Sequence, residues 1–178
     1  MRRTCQPYAG AGAMTVAHQL DPDSLGDHVD RLYRAAWSLC GSREEAEDLV
    51  QETFVRVLLK PRWLRAEDDI GYLLRVLRNT FVSSRRTAAR RPLTNPLPDD
   101  LTTVEDRAAP SPEAAIEVAE LYAAISALPE MFRDALIAVD VVGLSYREAA
   151  RALRVREATL TTRVHRARGR VADALKLD

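Results

Sequence analysis

The sequence is poor in the residue types from which disulfide frameworks, metal sites and glycine-rich loops are built. Its 178 residues include two cysteines, three histidines and seven glycines. Cys5 and Cys40 form no Cys-x-x-Cys motif, and the scattered histidines share no metal-ligand spacing with them. The sequence also contains no phosphate-binding loop and no nucleophile elbow. We therefore expect a protein with no catalytic activity, no metal and no cofactor, in a reducing compartment.

Long apolar runs are absent as well. No run approaches the roughly 20 residues that cross a bilayer, and Arg2 and Arg3 are not followed by the apolar segment of a secretion signal. We therefore expect a cytoplasmic protein without direct membrane insertion. Met1 and Met14 both remain candidate translation starts.

The amino-acid composition of the chain favours helices. Apolar residues make up 47% of the chain, aromatic residues only 6%, and alanine, leucine, arginine and glutamate are abundant. The net charge is zero, but its distribution is uneven. Six arginines and no acid lie between Arg75 and Arg91, and eight arginines against two acids lie between Arg147 and Arg170. Such segregation indicates two basic surfaces that suit nucleic acid.

The N-terminal half is predicted to be a three-helix bundle over 24–91, preceded by a disordered segment at 1–23. Apolar residues recur at helical spacing in three runs, and Gly41 and Pro61 separate these runs. At such positions aromatic side chains belong to a core more often than to a surface that stacks on bases. Three are assigned to the core on this ground: Trp37, Trp63 and Tyr72.

A second helical unit is predicted over 113–178, after an acidic, proline-rich linker at 92–112. We expect the linker to be flexible and the two units to move independently in the free protein. In the second unit, Ser145 caps a short helix, a turn at Arg154 follows, and a last helix begins near Glu157, as in a helix-turn-helix. The predicted fold class is all-α, with two small helical domains: a three-helix bundle and a four-helix domain.

The last helix is predicted to bind duplex DNA, because the second helix of a helix-turn-helix enters the major groove. The segment ALPEMFRDALIAVDVVGLSYREAARALRVREATLTTRVHRARGRV at 127–171 resembles the C-terminal promoter-binding domain of extracytoplasmic-function (ECF) sigma factors. In that family the domain reads the minus-thirty-five element. Hydroxyl, imidazole and guanidinium groups suit phosphates and base edges. The resemblance implies these minus-thirty-five residues: Thr159, Thr161, Thr162, Arg163, His165, Arg166 and Arg168.

This segment departs from the family pattern in three places. Arg154 stands where the family has glycine at the turn, and Arg156 stands where it has a small capping residue. Thr161 replaces a residue that is often basic. The promoter sequence is therefore not carried over from the family.

The segment AEDLVQETFVRVL at 46–58 resembles the family helix that docks on a coiled coil of the largest polymerase subunit. An ordinary amphipathic helix with a solvated acidic face is the alternative. Mixed charge beside apolar side chains suits docking of one helix on another. The resemblance implies these polymerase-binding residues: Asp48, Leu49, Gln51, Glu52, Phe54, Val55 and Arg56.

The segment YLLRVLRNTFVSSRRTAARR at 72–91 resembles the family helix that helps to melt and capture the minus-ten element. Charge along the backbone of a melted strand and polar groups for its bases suit that task. Ser83 stands where the family often has an acid. The implied minus-ten residues are Arg75, Arg78, Asn79, Ser83, Arg85 and Arg86.

The resemblance covers about 25–92 and 115–175 and implies an ECF-type sigma factor. Such a factor binds core RNA polymerase and promoter DNA and directs transcription initiation of a stress or signal regulon. The resemblance also implies an anti-sigma factor as a partner, and no small-molecule substrate. Two alternatives remain: a helix-turn-helix regulator without polymerase docking, and an interaction protein that starts no transcription.

Overall fold

A computed structural model describes residues 17–20, 22–65, 69–90 and 112–175. The predicted linker lies outside these residues except for its last position, and so do residues 1–16 of the predicted disordered segment. In the described part of the chain the elements in order are β1 (Ala17–Gln19), α1 (Pro22–Gly26), α2 (Val29–Cys40), α3 (Arg43–Leu59), β2 (Trp63–Arg65), α4 (Asp69–Arg90), α5 (Pro112–Ser126), α6 (Glu130–Leu136), α7 (Tyr146–Leu153) and α8 (Glu157–Leu175). A π-helical turn at Ile137–Val141 extends α6. The predicted all-α class with two helical units is confirmed.

The first unit, from β1 to α4, has α2, α3 and α4 packed around one apolar core. Local signals set its helix ends: the Ser42 hydroxyl accepts a hydrogen bond from the Glu45 backbone N–H, and Gly41 ends α2 with φ of 77°. The largest fully buried side chains include Leu32, Leu73 and Leu77. These residues belong to the predicted apolar stripes, as the helical period requires.

Three features of this unit differ from the prediction. The expectation of disorder is wrong at 17–19, where β1 pairs antiparallel with β2. His18 of this strand lies 2.9 Å from the buried carboxylate of Asp69, through Nε2. The first predicted helix is two helices, α1 and α2. The assignment of Trp63 to the core is also wrong, because 72% of its surface is exposed, whereas Trp37 is buried as predicted.

The second unit, from α5 to α8, contains the predicted helix-turn-helix. The capping box at the start of α7 is complete: Ser145 accepts from the Glu148 backbone N–H, and Glu148 accepts from the Ser145 backbone N–H at 2.8 Å. Hydrogen bonds from Ser145 lower the pKa of Glu148. Leu160 and Val164 anchor α8 in the core. The sequence therefore placed both helices of the motif correctly.

Arg154, in the turn between α7 and α8, adopts the left-handed backbone conformation, with φ of 56° and ψ of 45°. Among the described residues other than glycine, no other φ is positive. Glycine adopts this conformation without the steric penalty of a Cβ atom. The family preference for glycine at this turn therefore has a backbone cause, and this chain keeps the turn with arginine.

Arg154→Gly is expected to raise the free energy of unfolding by about 0.5–1 kcal/mol, because it removes left-handed strain from a side chain with Cβ. Urea unfolding followed by circular dichroism measures the change. Arg156→Gly is the matched control, since it removes the same charge at a position without positive φ. If both substitutions changed the free energy of unfolding equally, the backbone of Arg154 would not be strained.

The two units are in contact, and the expectation that they move independently in the free protein stays a prediction. Trp37 of α2 stacks on Tyr122 of α5, with ring centroids 4.2 Å apart. The guanidinium of Arg31 donates to the Val142 carbonyl from Nε at 2.8 Å and from Nη2 at 2.6 Å. At Gly41 an added Cβ atom would lie 2.7 Å from the Ser126 Oγ, so a larger residue would obstruct this approach.

Candidate polymerase and nucleic-acid interface

The face of α3 that the resemblance assigns to polymerase is open to solvent. Of the residues that the resemblance assigns to polymerase, five are exposed: Asp48, Gln51, Glu52, Val55 and Arg56. Leu49 is buried and Phe54 half-buried, so these two support the helix from the core side. Arg56 Nε donates to Glu52 Oε1 at 2.7 Å, an ion pair at the i,i+4 spacing that brings two side chains together on one helix face.

An apolar patch adjoins these charges. Val55, Leu58 and Leu59 at the C-terminal end of α3 are 51%, 41% and 75% exposed. Leu58 fits the helical period of the apolar residues on α3, but it is exposed. Thr53 occupies the interior instead, where its hydroxyl donates to the Leu49 carbonyl at 2.7 Å. A solvent-facing apolar patch rimmed by charge is typical of a protein interface.

A cleft between α3 and α4 lies next to this face. It has a volume of about 390 Å³, and Asp48 and Glu52 line one side while Arg85 lines another. Cys40 also lines it, and burial raises the pKa of this thiol to about 12. The thiol is therefore protonated at neutral pH and is not a nucleophile.

The residues of α4 that the resemblance assigns to the minus-ten element fall into an exposed group and a half-buried group. Four of them are exposed: Asn79, Ser83, Arg85 and Arg86. The other two, Arg75 and Arg78, are half-buried against the second unit. Arg75 Nε donates to the Ala152 carbonyl at 3.3 Å, and Arg78 Nη2 donates to Glu130 Oε1 at 2.5 Å.

A basic cleft at the junction of the units was not found from the sequence. Its volume is about 470 Å³, and its lining has five basic side chains and no acid. The basic residues are Arg56, Lys60, Arg62, Arg75 and Arg154. Converging guanidinium and ammonium groups bind phosphate. No single stretch of sequence signals this cleft, because two helices, α3 and α4, and two connecting turns contribute to it.

Trp63 is the second feature that the sequence missed. Its exposed indole lines a further cleft of about 330 Å³ together with Arg62, Tyr72 and Arg75. An exposed indole beside guanidinium groups suits stacking on an unpaired base with charge on the adjoining phosphates. The pairing of β2 with β1 fixes the position of Trp63. In the sequence, the only local indication of this site was the dipeptide Arg62-Trp63 between two helices.

Helix α8 presents the residues that the resemblance assigns to the minus-thirty-five element. Thr159, Thr162, Arg163 and Arg166 follow the spacing that places side chains on one face of a helix. All seven assigned residues are exposed except Arg163, which is half-buried. The seventh, Arg168, donates to both carboxylate oxygens of Asp140, at 2.8 and 2.6 Å. These hydrogen bonds raise the pKa of Arg168.

Two negative observations apply to the described residues alone. In that part of the chain no cluster of three or more His, Cys, Asp or Glu side chains is arranged to hold a metal ion. None of the helices found there combines the length and apolar character needed to cross a membrane.

Family models match both units. The model for Sigma-70 region 2 matches residues 25–91. The model for Sigma-70 region 4 matches residues 119–171. The first match contains α3 and α4, and the second contains α7 and α8.

Relatives that match most of this chain are named as ECF RNA polymerase sigma factors. The ECF RNA polymerase sigma factor SigE of Mycolicibacterium smegmatis is 38% identical over 154 residues, which cover 83% of this chain and 58% of that protein. The chain thus spans less than two thirds of this relative's length. EcfG of Rhodopseudomonas palustris, also an ECF RNA polymerase sigma factor, is 34% identical over 88% of this chain and 87% of that protein.

The fold is shared with solved structures. Sigma factor RpoE of Bartonella quintana, in complex with the anti-sigma factor NepR, superposes with a TM-score of 0.60 and 25% identity. The match covers 89% of this chain and 99% of that one. Both units, the relatives and the fold agree, so this chain belongs to the ECF sigma factors of the sigma-70 family.

Proposed function

We propose that the chain is a transcription initiation factor that binds core RNA polymerase through α3 and promoter DNA through α4 and α8. It acts in the cytoplasm and performs no catalysis of its own. The observation that carries the proposal is the presence of both surfaces in one chain: an open, charged and apolar face on α3, and arginine-rich faces on α4 and α8. A regulator that only binds duplex DNA does not need the first surface.

The α3 surface fits a helical partner of mixed charge. Asp48 and Glu52 give it negative charge, and the neighbouring Val55, Leu58 and Leu59 give it apolar area. Charge fixes the register of such an interface while apolar contacts stabilise it. A coiled coil of core polymerase has the required helical form.

Each DNA surface fits one form of DNA. Helix α8 follows a short, capped helix and a tight turn, which is the arrangement that enters the major groove of an intact duplex. The surface of α4, with Trp63 and the basic cleft beside it, offers both an aromatic ring and phosphate-binding charge. That combination suits a strand whose bases are unstacked.

An anti-sigma factor is the further partner that we propose. The Bartonella quintana RpoE structure contains one, NepR. The exposed apolar residues Ile116 and Leu121 on α5 and Met131 on α6 provide contact area for a protein on the second unit.

Run-off transcription tests the function. The purified chain is mixed with core polymerase of Mycolicibacterium smegmatis, and transcripts from genomic DNA of the source organism are sequenced. Defined start sites that require both proteins are expected. A chain that binds DNA without core polymerase and yields no transcript would instead be a simple regulator, and capture of core polymerase without transcripts would indicate a non-initiating partner.

A further inference from the structure

A short strand outside the matched family regions contacts the segment that carries Trp63. The match to Sigma-70 region 2 begins at residue 25, whereas β1 comprises Ala17–Gln19. This strand pairs antiparallel with β2, and Gln19 lies opposite Trp63 in the register. β2 in turn lies between α3 and α4 in the chain. The strand β1 therefore reaches the site of Trp63 from a part of the sequence that the family model does not include.

The two-stranded sheet determines which way the side chains of β2 point. Successive residues of a strand face opposite sides of the sheet. Leu64 packs against the apolar core, so its neighbour Trp63 is directed to the other side, where 72% of its surface is exposed. Residues directly opposite each other share a face. His18 therefore lies on the inner face with Leu64, and Gln19 lies on the outer face beside the indole.

A side-chain contact joins this sheet to the start of α4. His18 Nε2 lies 2.9 Å from Asp69 Oδ2, and only 8% of the Asp69 side chain is exposed. A buried carboxylate is stabilised by a partner at hydrogen-bond distance. Asp69 is the first residue of α4, and Tyr72 and Arg75 of that helix line one cleft together with Trp63. The contact therefore sets the position of the indole relative to these two side chains.

The sheet has little stability of its own. Each strand has three residues, and an isolated two-stranded sheet is marginally stable at best in water. The residues that follow β1 anchor it to the bundle, because Leu20 and Leu25 are buried in the apolar core. Loss of the pairing should therefore displace Trp63 and leave the helices of the first unit folded.

We propose that β1 is a positioning element for promoter opening: its pairing with β2 and the contact of His18 with Asp69 hold the Trp63 indole where it can stack on an unpaired base. The inference rests on the proposed function, which assigns the surface around Trp63 to the opened strand. His18 acts through Trp63 and is a positioning residue, whereas Trp63 makes the contact with the base. An indole that is already held in place loses less conformational entropy when it stacks, so pairing favours capture of the base.

A double proline variant in the full chain tests the inference. His18→Pro with Gln19→Pro breaks the pairing, because N–H groups of successive strand residues point to opposite sides and proline removes the one that faces β2. The variant should bind core polymerase and closed promoter duplex like the unaltered chain, and circular dichroism checks its fold. We expect promoter opening by the holoenzyme, measured by permanganate footprinting, to fall about fivefold or more, as it should for Trp63→Ala.

The matched control alters the same two positions. His18→Gln with Gln19→Ala keeps both backbone N–H groups, and the glutamine amide offers a donor to Asp69 in place of the imidazole N–H. This variant should open the promoter like the unaltered chain. A loss of opening equal to that of the double proline variant would show that the effect does not come from the pairing, and would overturn the inference.

A combined variant separates positioning from a general loss of stability. The chain with His18→Pro, Gln19→Pro and Trp63→Ala should open the promoter as well as Trp63→Ala alone, because the pairing then has no indole to position. Losses that add, unchanged opening by the double proline variant, or unchanged opening by Trp63→Ala would each overturn the inference. An unaltered chain that opens no promoter would instead overturn the proposed function.

Fluorescence gives a second readout on the free protein. The chain has two tryptophans, so Trp37→Phe leaves Trp63 as the only one and keeps an aromatic ring against Tyr122. In this background the steady-state anisotropy of Trp63 should fall in the double proline variant, because an indole that is no longer held moves on the nanosecond timescale. His18→Ala, which retains the backbone N–H groups of β1, should lower it less. Equal anisotropy in all three chains would show that β1 does not hold the indole.

Discussion

Replacement of Asp48 and Glu52 by lysine together is expected to abolish holoenzyme formation while the chain remains folded. Both side chains are exposed on α3, so neither substitution disturbs the core. Lysine at position 52 would face Arg56, and a like-charge pair at this spacing costs only about 0.2–0.5 kcal/mol. Reversal at an interface costs far more, and we expect core polymerase to bind about 100-fold more weakly or worse.

Native gel shift and size-exclusion chromatography with core polymerase measure this loss, and circular dichroism checks the fold. Asp23→Lys with Asp27→Lys is the matched control, because both acids are exposed and lie outside α3. The control should bind core polymerase like the unaltered chain. Unchanged binding by the Asp48/Glu52 variant would remove α3 from the interface.

Arg163→Ala with Arg166→Ala is expected to weaken binding of the holoenzyme to closed promoter duplex. Arg85→Ala with Arg86→Ala is expected to leave this closed binding unchanged and to impair opening of the promoter. For the α8 pair we expect a loss of about tenfold or more, since one bidentate base contact is worth about 1–3 kcal/mol. The slope of log affinity against log salt should also fall by about 0.9 for each lost phosphate contact.

The two variants are charge-matched controls for each other, because each removes two arginines. Arg78 is left unaltered because it pairs with Asp134 of the second unit. Its substitution would change the contact between the units as well as promoter opening, and the two effects could not be separated. Permanganate footprinting on a linear promoter and on the same promoter with a pre-melted bubble separates the two roles. The bubble should rescue the Arg85/Arg86 variant only. Rescue of the Arg163/Arg166 variant alone would show that the two surfaces have the opposite roles.

The helices could be predicted from sequence because their signals are local. Ser42 and Ser145 cap helices by hydrogen bonds to residues three positions ahead, and such contacts are readable in the sequence itself. The apolar period likewise identified the core face of α4, including Leu73 and Leu77. The family resemblance then named the surfaces of α3, α4 and α8.

Errors arose where side chains depend on partners distant in sequence. Trp63 follows the pairing of β2 with β1, which joins the first described residues to the connection between α3 and α4. Leu58 satisfies the helical period, but no described element packs against it and its side chain is exposed. Thr53 can be buried because its hydroxyl donates to a backbone carbonyl of the same helix. Periodicity records which face a residue occupies, but it does not record what covers that face.

The sequence thus determined most of the helices and their caps, the two units and the distribution of arginines, because hydrogen bonding within a turn and the period of 3.6 residues act over a few positions. Only the tertiary structure decided which arginines are free. Arg78 and Arg86 are alike in sequence, on the same helix and in the same basic block. One is paired with the buried Asp134, and the other is exposed to solvent. That difference arises because Coulomb attraction and desolvation depend on distance in space, and the carboxylates of α6 reach the Arg78 guanidinium.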